Sequence, residues 1–286
     1  MSKKKVWLIT GSSTGLGRAL TEELLAQGYK VAATARKPEV LRDLVEKYPD
    51  AAFAVKLDVT KPDEVRLAAA KTIEKFGRID VVVNNAGYGL IGAIEEAGDE
   101  QIRQQFETNV FGALDVMRAV LPQMREQKSG HILNLSSVGG FLAFSSTGFY
   151  SATKFAVEAL SEALSKETES HGIKVTIVEP GAFRTDFNGR SLTVAENRMS
   201  AYSSTQRFLD WLREMDGNQP GDPRKAAQAM IKAVESKNPP MRLLLGDDAI
   251  QAVESKIENI KADITVSQKI GIDTNFEGMK AGVVGG

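Results

Sequence analysis

Tyr150 and Lys154, in the stretch Tyr150-Ser-Ala-Thr-Lys154, carry the residue types and spacing that suit proton chemistry. Four positions apart on a helix, they share one face, one turn apart. A phenol ionises near ~10, and bringing it to a working pH of ~7 takes ~4 kcal/mol. One ammonium at ~4 Å supplies ~4 kcal/mol at an effective dielectric near 20. A single placed lysine is therefore of the right size to make the tyrosine a general acid/base. Of the five tyrosines, Tyr29, Tyr48, Tyr88, Tyr150 and Tyr202, only Tyr150 has lysine at i+4. Such a pair also arises readily by chance at this lysine content, so its neighbours must decide. Ser137 stands thirteen residues before the tyrosine, with Ser136 beside it.

The segments that must position these residues alternate between strand and helix patterns. Val6-Trp7-Leu8-Ile9-Thr10 is a continuous apolar run that feeds Gly11-Ser-Ser-Thr-Gly15-Leu-Gly17, and Ala19, Leu20, Leu24 and Leu25 follow at helical spacing. Further strands are expected at 29–35, 52–57, 79–83, 131–135, 174–178 and 241–245. The helix that opens at Pro62 has an apolar face through Phe76 and stops at Gly77. Successive βα units define an α/β fold, a single-domain doubly wound (Rossmann) parallel sheet of about seven strands with helices on both faces, over 1–286. The motifs fall at the carboxyl ends of strands, where such sheets bind ligands. A long helical stretch from about Glu100 to Glu126 carries Asn109 and is expected to kink or break at Pro122. Residues 186–223 show no firm period and read as a substrate loop. A last helix is expected over 249–264. The tail 265–286 should be poorly ordered from Gly271 unless it docks on a partner.

Strand, glycine loop and helix in succession suit a dinucleotide. Gly11 permits a tight turn, Gly15 lets backbone approach a pyrophosphate, and Gly17 allows close packing of helix on strand. Ser13 and Leu16 belong to the same loop. An acid at the end of the second strand grips the adenosine ribose and marks NAD. Here that place reads Thr34-Ala35-Arg36-Lys37, without an acid. Arg36 offers a planar fork to a 2′-phosphate and Lys37 adds charge nearby, so NADP(H) is expected over NAD(H). Thr14 stands before the second loop glycine in place of a further basic residue, which leaves the preference on Arg36.

Composition narrows the choices. Formal net charge is −1, with 26% charged and 42% hydrophobic residues, which gives no reason to expect a nucleic-acid or membrane partner. The chain has no cysteine, and its two histidines are His131 and His171. Disulfides, thiolate catalysis and zinc-thiolate or histidine-rich metal sites are excluded. The apolar run behind Met1-Ser-Lys-Lys-Lys5 is too short for a signal peptide, and no run approaches ~18 residues. A soluble, cytoplasmic protein without a metal site is the expectation.

These residues together resemble the short-chain dehydrogenase/reductase family, over roughly Lys5 to Leu245. The resemblance rests on Thr10-Gly11-x-x-x-Gly15-x-Gly17, Asp58, Asn84-Asn85-Ala86-Gly87, Asn109, Ser137, Tyr150-x-x-x-Lys154 and Pro180-Gly181-x-x-x-Thr185. The glycine spacing is unlike that of the extended branch of epimerases and dehydratases. Thr-Asn-Val-Phe-Gly around Asn109, and Ser-Ala-Thr-Lys-Phe-Ala-Val-Glu, resemble the hydroxysteroid- and retinol-dehydrogenase-like part. The resemblance implies that Tyr150 is the general acid/base and that Lys154 holds the nicotinamide ribose and depresses the tyrosine. It implies that Ser137 binds the carbonyl oxygen and that Asn109 anchors a relay water. Asp58 and Val59 would border the adenine. Asn85, Ala86 and Gly87 would line the cofactor, and Pro180, Gly181, Phe183 and Thr185 would place the carboxamide. Phe141, Phe144, Phe149, Met199, Tyr202, Phe208 and Trp211 are candidate walls of an apolar substrate pocket. The implied activity is hydride transfer between NADP and a carbonyl or secondary alcohol of a small molecule, in a homodimer or homotetramer. The alternatives are a non-catalytic NADP-binding sensor or scaffold, and a reductase of sugars or 3-oxoacyl chains.

Overall fold

The computed structural model describes residues 4–279 and 282. The first three residues of the basic start and the end of the tail (280, 281 and 283–286) lie outside the described residues. The chain opens with β1 (Val6–Ile9), α1 (Gly15–Ala26), β2 (Lys30–Ala35), α2 (Arg42–Lys47), β3 (Ala52–Lys56) and α3 (Pro62–Phe76). It continues through β4 (Val81–Asn84), β5 (Gly89–Ile91), α4 (Asp99–Phe106), α5 (Gly112–Gln127), β6 (Gly130–Leu135), α6 (Gly148–Thr168) and β7 (Ile173–Pro180). It closes with α7 (Phe187–Arg190), β8 (Leu192–Val194), α8 (Ser203–Met215), α9 (Pro223–Glu235), β9 (Arg242–Leu245) and α10 (Asp247–Gly271).

Seven strands form one parallel sheet in the order β3-β2-β1-β4-β6-β7-β9. Strand alternation divides the core. Trp7 and Ile9 of β1 pack with Leu20, Leu24, Met230 and Ile231 of α1 and α9. Val6 and Leu8 face the other side, with Val65, Val116, Val120 and Leu164 of α3, α5 and α6. A sheet covered on both faces needs apolar residues at every position of its central strands, which is why β1 and β4 are buried throughout. The strand order reverses between β1 and β4. The glycine loop and Asn84-Asn85-Ala86-Gly87 meet at this switch point, where an open α/β sheet has its crevice. Local signals fix the helix ends. Pro62 opens α3, and Gly77 closes it with φ 83°. Asp222 caps α9 by accepting from the Arg224 N–H at 2.8 Å.

Four expectations need correction. Regular helix between 99 and 127 breaks at a π turn over Glu107–Phe111, and Pro122 sits inside α5. The segment 186–223 is largely ordered secondary structure, with α7, β8 and α8. In α8, Thr205, Phe208, Leu209, Leu212 and Met215 follow helical spacing, a period hidden by the polar residues between them. β5 was not anticipated; its three residues pair in parallel with β8, forming a second small sheet. The last helix runs to Gly271, so the first part of the expected tail is helical, and its residues are exposed. Among the described residues no helix is long and apolar enough to cross a membrane.

Candidate active site

Ser137 follows β6 in extended conformation and caps the short turn Val138–Gly140, its Oγ accepting from the Gly139 N–H at 3.0 Å. Tyr150 lies in the first turn of α6 and Lys154 in the next. The Ser137 hydroxyl and the Tyr150 ring both lie beside Gly139, where an added Cβ would meet them at 3.4 and 3.3 Å. The Lys154 Nζ donates to the Leu135 carbonyl at 2.8 Å and lies 5.7 Å from the centroid of the Tyr150 ring. Ser136 lines the same cavity, but a Cβ added at Gly140 would meet its Oγ at 2.2 Å and Glu158 Oε1 at 2.8 Å. Its hydroxyl donates to the Ser137 carbonyl at 3.5 Å, and Ser137 is the serine whose Oγ lies beside the Tyr150 ring at Gly139.

Burial governs the electrostatics. It pushes the Tyr150 phenol up to about 12, against the neighbouring Ser137 hydroxyl, which pulls it down. It also pulls the Lys154 ammonium down to about 8, opposed by the Glu158 carboxylate one turn further on. The expected depression of the tyrosine by the lysine is thus not seen. A half-buried phenol at this separation responds more to loss of water than to one ammonium that itself bonds a carbonyl. Glu158 belongs to a cluster missed in the sequence. Arg242 of β9 pairs with Glu158, with Glu162 and, at 2.6 Å, with Glu179. Burial and Glu158 raise the Glu179 carboxyl above its ordinary value, against Arg242.

Asn109 sits in the π turn rather than on the cavity wall. Its Nδ2 donates to the Tyr88 carbonyl at 2.9 Å and to Thr153 Oγ1 at 3.1 Å, and its Oδ1 accepts from the Tyr88 N–H at 3.0 Å. It holds the chain after Gly87 against the helix that carries Tyr150 and Lys154. Widened helical turns commonly mark such sites.

The glycine loop leaves space that a dinucleotide fits. Gly11 and Gly15 have φ of 69° and 60°, the left-handed region that favours glycine. A Cβ at Gly17 would lie 2.3 Å from Asn85 Nδ2 and 2.4 Å from the Gly11 carbonyl oxygen. The close approach expected of Gly17 is therefore made to Asn85 and to the loop itself, and Gly17 does not line the cavity. Asn85 Nδ2 donates to the Thr10 and Gly11 carbonyls at 2.8 and 2.9 Å, tying the loop to β4. Thr14 at the start of α1 makes no side-chain cap. The first-turn N–H groups of α1 thus remain available to an anion at a cavity lined by Ser13, Gly15 and Leu16.

One cavity of about 860 Å³ joins these parts. At one end it is lined by Arg36, Asp58 and Val59, then by Asn85, Ala86 and Gly87, and at the floor by Ser137, Tyr150 and Lys154. Pro180, Gly181, Phe183 and Thr185 line its opposite rim, and Lys37 is not among its residues. Of the expected apolar walls, Phe144, Phe208 and Trp211 are present and Phe141, Phe149, Met199 and Tyr202 are not. The Phe141 ring instead lies under the Arg242 guanidinium at 5.5 Å, and the Tyr202 hydroxyl bonds Glu95. Tyr88, Phe187, Leu192, Leu212 and Met215 are walls the sequence did not disclose. The Phe187 ring lies 6.0 Å from that of Tyr150. The helical spacing of 208, 212 and 215 was the available signal.

A family model described as short chain dehydrogenase matches residues 5–195. An oxidoreductase of Botryotinia fuckeliana, BOA17, is 42% identical over 259 residues, covering 90% of this chain and 94% of that one. A 3-ketodihydrosphingosine reductase of Bacteroides thetaiotaomicron is 40% identical, covering 85% and 88%. A short-chain dehydrogenase structure from Streptomyces avermitilis superposes with TM-score 0.89 at 43% identity, covering 96% of this chain and all of that one. Two more distant structures carry cofactors. One from Burkholderia phymatum is in complex with NAD (25% identity, TM-score 0.80, covering 91% and 95%). The other is ElxO with NADP bound (27%, TM-score 0.72, covering 87% and 100%). The chain belongs to the short-chain dehydrogenase family. It is an NAD(P)-dependent oxidoreductase of α/β, doubly wound fold.

Proposed function

We propose that this enzyme moves a hydride between NADP(H), in preference to NAD(H), and a carbonyl or secondary alcohol of an apolar small molecule. The observation that supports the reading is the convergence of Ser137, Tyr150 and Lys154 on one cavity that apolar side chains also line. A bound nicotinamide supplies the hydride. Tyr150 delivers a proton to the carbonyl oxygen, or takes it back in the oxidative direction. Ser137 donates to that oxygen as negative charge builds on it. Lys154, whose Nζ lies 5.7 Å from the centre of the phenol ring, would hold the nicotinamide ribose. Asn109 positions this helix through its bonds to Tyr88 and Thr153. The loop at Gly11, Gly15 and Leu16 would hold the pyrophosphate, Asp58 and Val59 the adenine, and Phe183 and Thr185 the carboxamide.

The NADP reading is supported by Arg36, which lines the cavity at the end of β2 where no acid stands. The apolar reading is supported by Phe144, Leu192, Phe208, Trp211 and Met215 on the wall. The Bacteroides relative, a 3-ketodihydrosphingosine reductase, agrees with it. The test is a panel of ketones graded by alkyl chain length, with sugars and short polar ketones as controls, each with NADPH and NADH. kcat/KM should rise with chain length and favour NADPH. Arg36→Ala should remove most of the cofactor preference and Ala35→Asp should reverse it. A best substrate among the sugars, or a wild type that favours NADH, would overturn the reading.

A further inference from the structure

Among the described residues, nothing packs on the outer part of α10. Of its 25 residues only Ala249 and Val253 are buried, and every residue from 257 to 271 is exposed. A solitary helical segment of this length is marginal in water unless an apolar face is covered. Such a face is present. Ile250, Val253, Ile257, Ile260 and Ile264 recur alternately three and four apart, a 3.5-residue period that makes a narrow seam about 21 Å long. The four isoleucines are 38–51% exposed. Val253 packs at the base of the helix on its own domain, so the open seam runs from Ile257 outwards.

We propose that two copies of this chain pair through this seam as an antiparallel helix pair. The charges beside the seam choose the occupant and its direction. Glu254 and Lys261 flank one side, and Lys256 and Asp263 the other. Antiparallel pairing sets Ile257 of one copy against Ile260 of the second. Glu254 then falls beside Lys261 of the second copy, and Lys256 beside its Asp263. The two-fold axis repeats both contacts, giving four opposite-charge pairs. Parallel pairing would instead set Lys256 against Lys261 on both sides. Lys261 now bonds Glu258 of its own helix at 2.7 Å, an exposed bridge of the kind that yields readily to a better partner. An anionic lipid surface is a poor alternative occupant. The helix carries five carboxylates against three lysines, and its apolar stripe is narrow.

The chain has no cysteine, so an introduced thiol is unique. Glu254→Cys and Lys261→Cys are prepared separately as full-length enzyme and treated with a short thiol cross-linker, alone and mixed. The antiparallel seam gives a cross-linked dimer in the mixture and none from either variant alone. Ile257→Asp with Ile264→Asp halves the assembly mass in sedimentation while cofactor binding and thermal melting of the domain are kept. Cross-linking of either variant by itself, no cross-linking in the mixture, or an unchanged mass in the double variant would overturn the proposal. So would a wild type that is monomeric across the concentration series, whether or not it floats with anionic vesicles.

Discussion

The glycine loop and the segment 186–215 face each other across one cavity and are held in different ways. The loop is fixed by backbone contacts. Asn85 bonds the Thr10 and Gly11 carbonyls, while Thr10 Oγ1 accepts from the Asn85 and Ala86 N–H groups at 2.9 and 3.0 Å. An added methyl group has no room at Gly17 and only a tight fit at Gly11, whose positive φ also disfavours it. The segment 186–215 is joined to the body by the short β5–β8 ladder and a few side chains. Glu96 is the chief tie, accepting from Met199 N–H at 2.9 Å, Ala93 N–H at 2.8 Å and Arg198 Nε at 3.1 Å. Ser146 donates to Thr205 at 3.0 Å. Its cavity-facing groups are replaceable apolar side chains, among them Phe208 and Trp211, stacked at 5.6 Å. A wall made of backbone tolerates little change and suits the constant partner, the cofactor. A wall made of side chains on a thin anchorage suits the variable one, the substrate.

Breaking the first region should act on the cofactor alone. Gly17→Ala must displace Asn85 and with it the loop. Overpacking of this kind costs about 1–3 kcal/mol, so dinucleotide binding, read by titration, should weaken roughly 10–100-fold and Tm should fall. Unchanged affinity would show that the close approach is not what shapes the loop. Breaking the second region should act on the substrate. Trp211→Ala should lower kcat/KM for a long-chain ketone about 10-fold, from lost apolar contact, with cofactor affinity intact. Equal losses for cofactor and substrate would erase the distinction between the regions.

The smallest effect sharpens the contrast through pH. Burial pushes the Glu96 carboxyl up, but the Met199 and Ala93 N–H groups, Thr205 and Arg198 together bring it down to about 2. A folded value below the unfolded one means that the tie is fully present above about 4.5 and is lost as pH falls towards 2. Hydrogen exchange in 186–215 should therefore rise over that window before exchange in β1 or β4 does. Glu96→Gln should raise it already at neutral pH, with at most a few-fold change in turnover. The segment should also gain protection when cofactor and a substrate analogue are bound. Strong protection in every condition would make it a static part of the core.

The same difference explains what could be read from the sequence. Each strand of the large sheet was visible, because a doubly covered sheet demands continuous apolar runs. The glycine loop was visible because backbone geometry constrains residue type: Gly11, Gly15 and Gly17 have few substitutes. Asn109 was legible as a special position, but the π turn around it was not, since the break depends on what Tyr88 and Thr153 offer in space. Pro122 was a misleading signal, as a proline is tolerated within α5. The substrate wall was half legible. Phe144, Phe208 and Trp211 are large and apolar, yet so are Phe141 and Met199, and only tertiary contact with Arg242 and Glu96 takes those two away. The Tyr150 pKa was misjudged for a similar reason. Spacing gives the neighbour but not the burial, and burial is the larger effect here.

The most direct test is Tyr150→Phe, measured for turnover with the best ketone and for cofactor affinity by titration. Loss of one hydroxyl removes the proton donor and leaves α6 intact. Turnover should fall by roughly 10²–10⁴, while the dinucleotide binds as in wild type. A variant that keeps turnover within a few-fold of wild type would contradict the assignment of Tyr150 as the acid/base of this site.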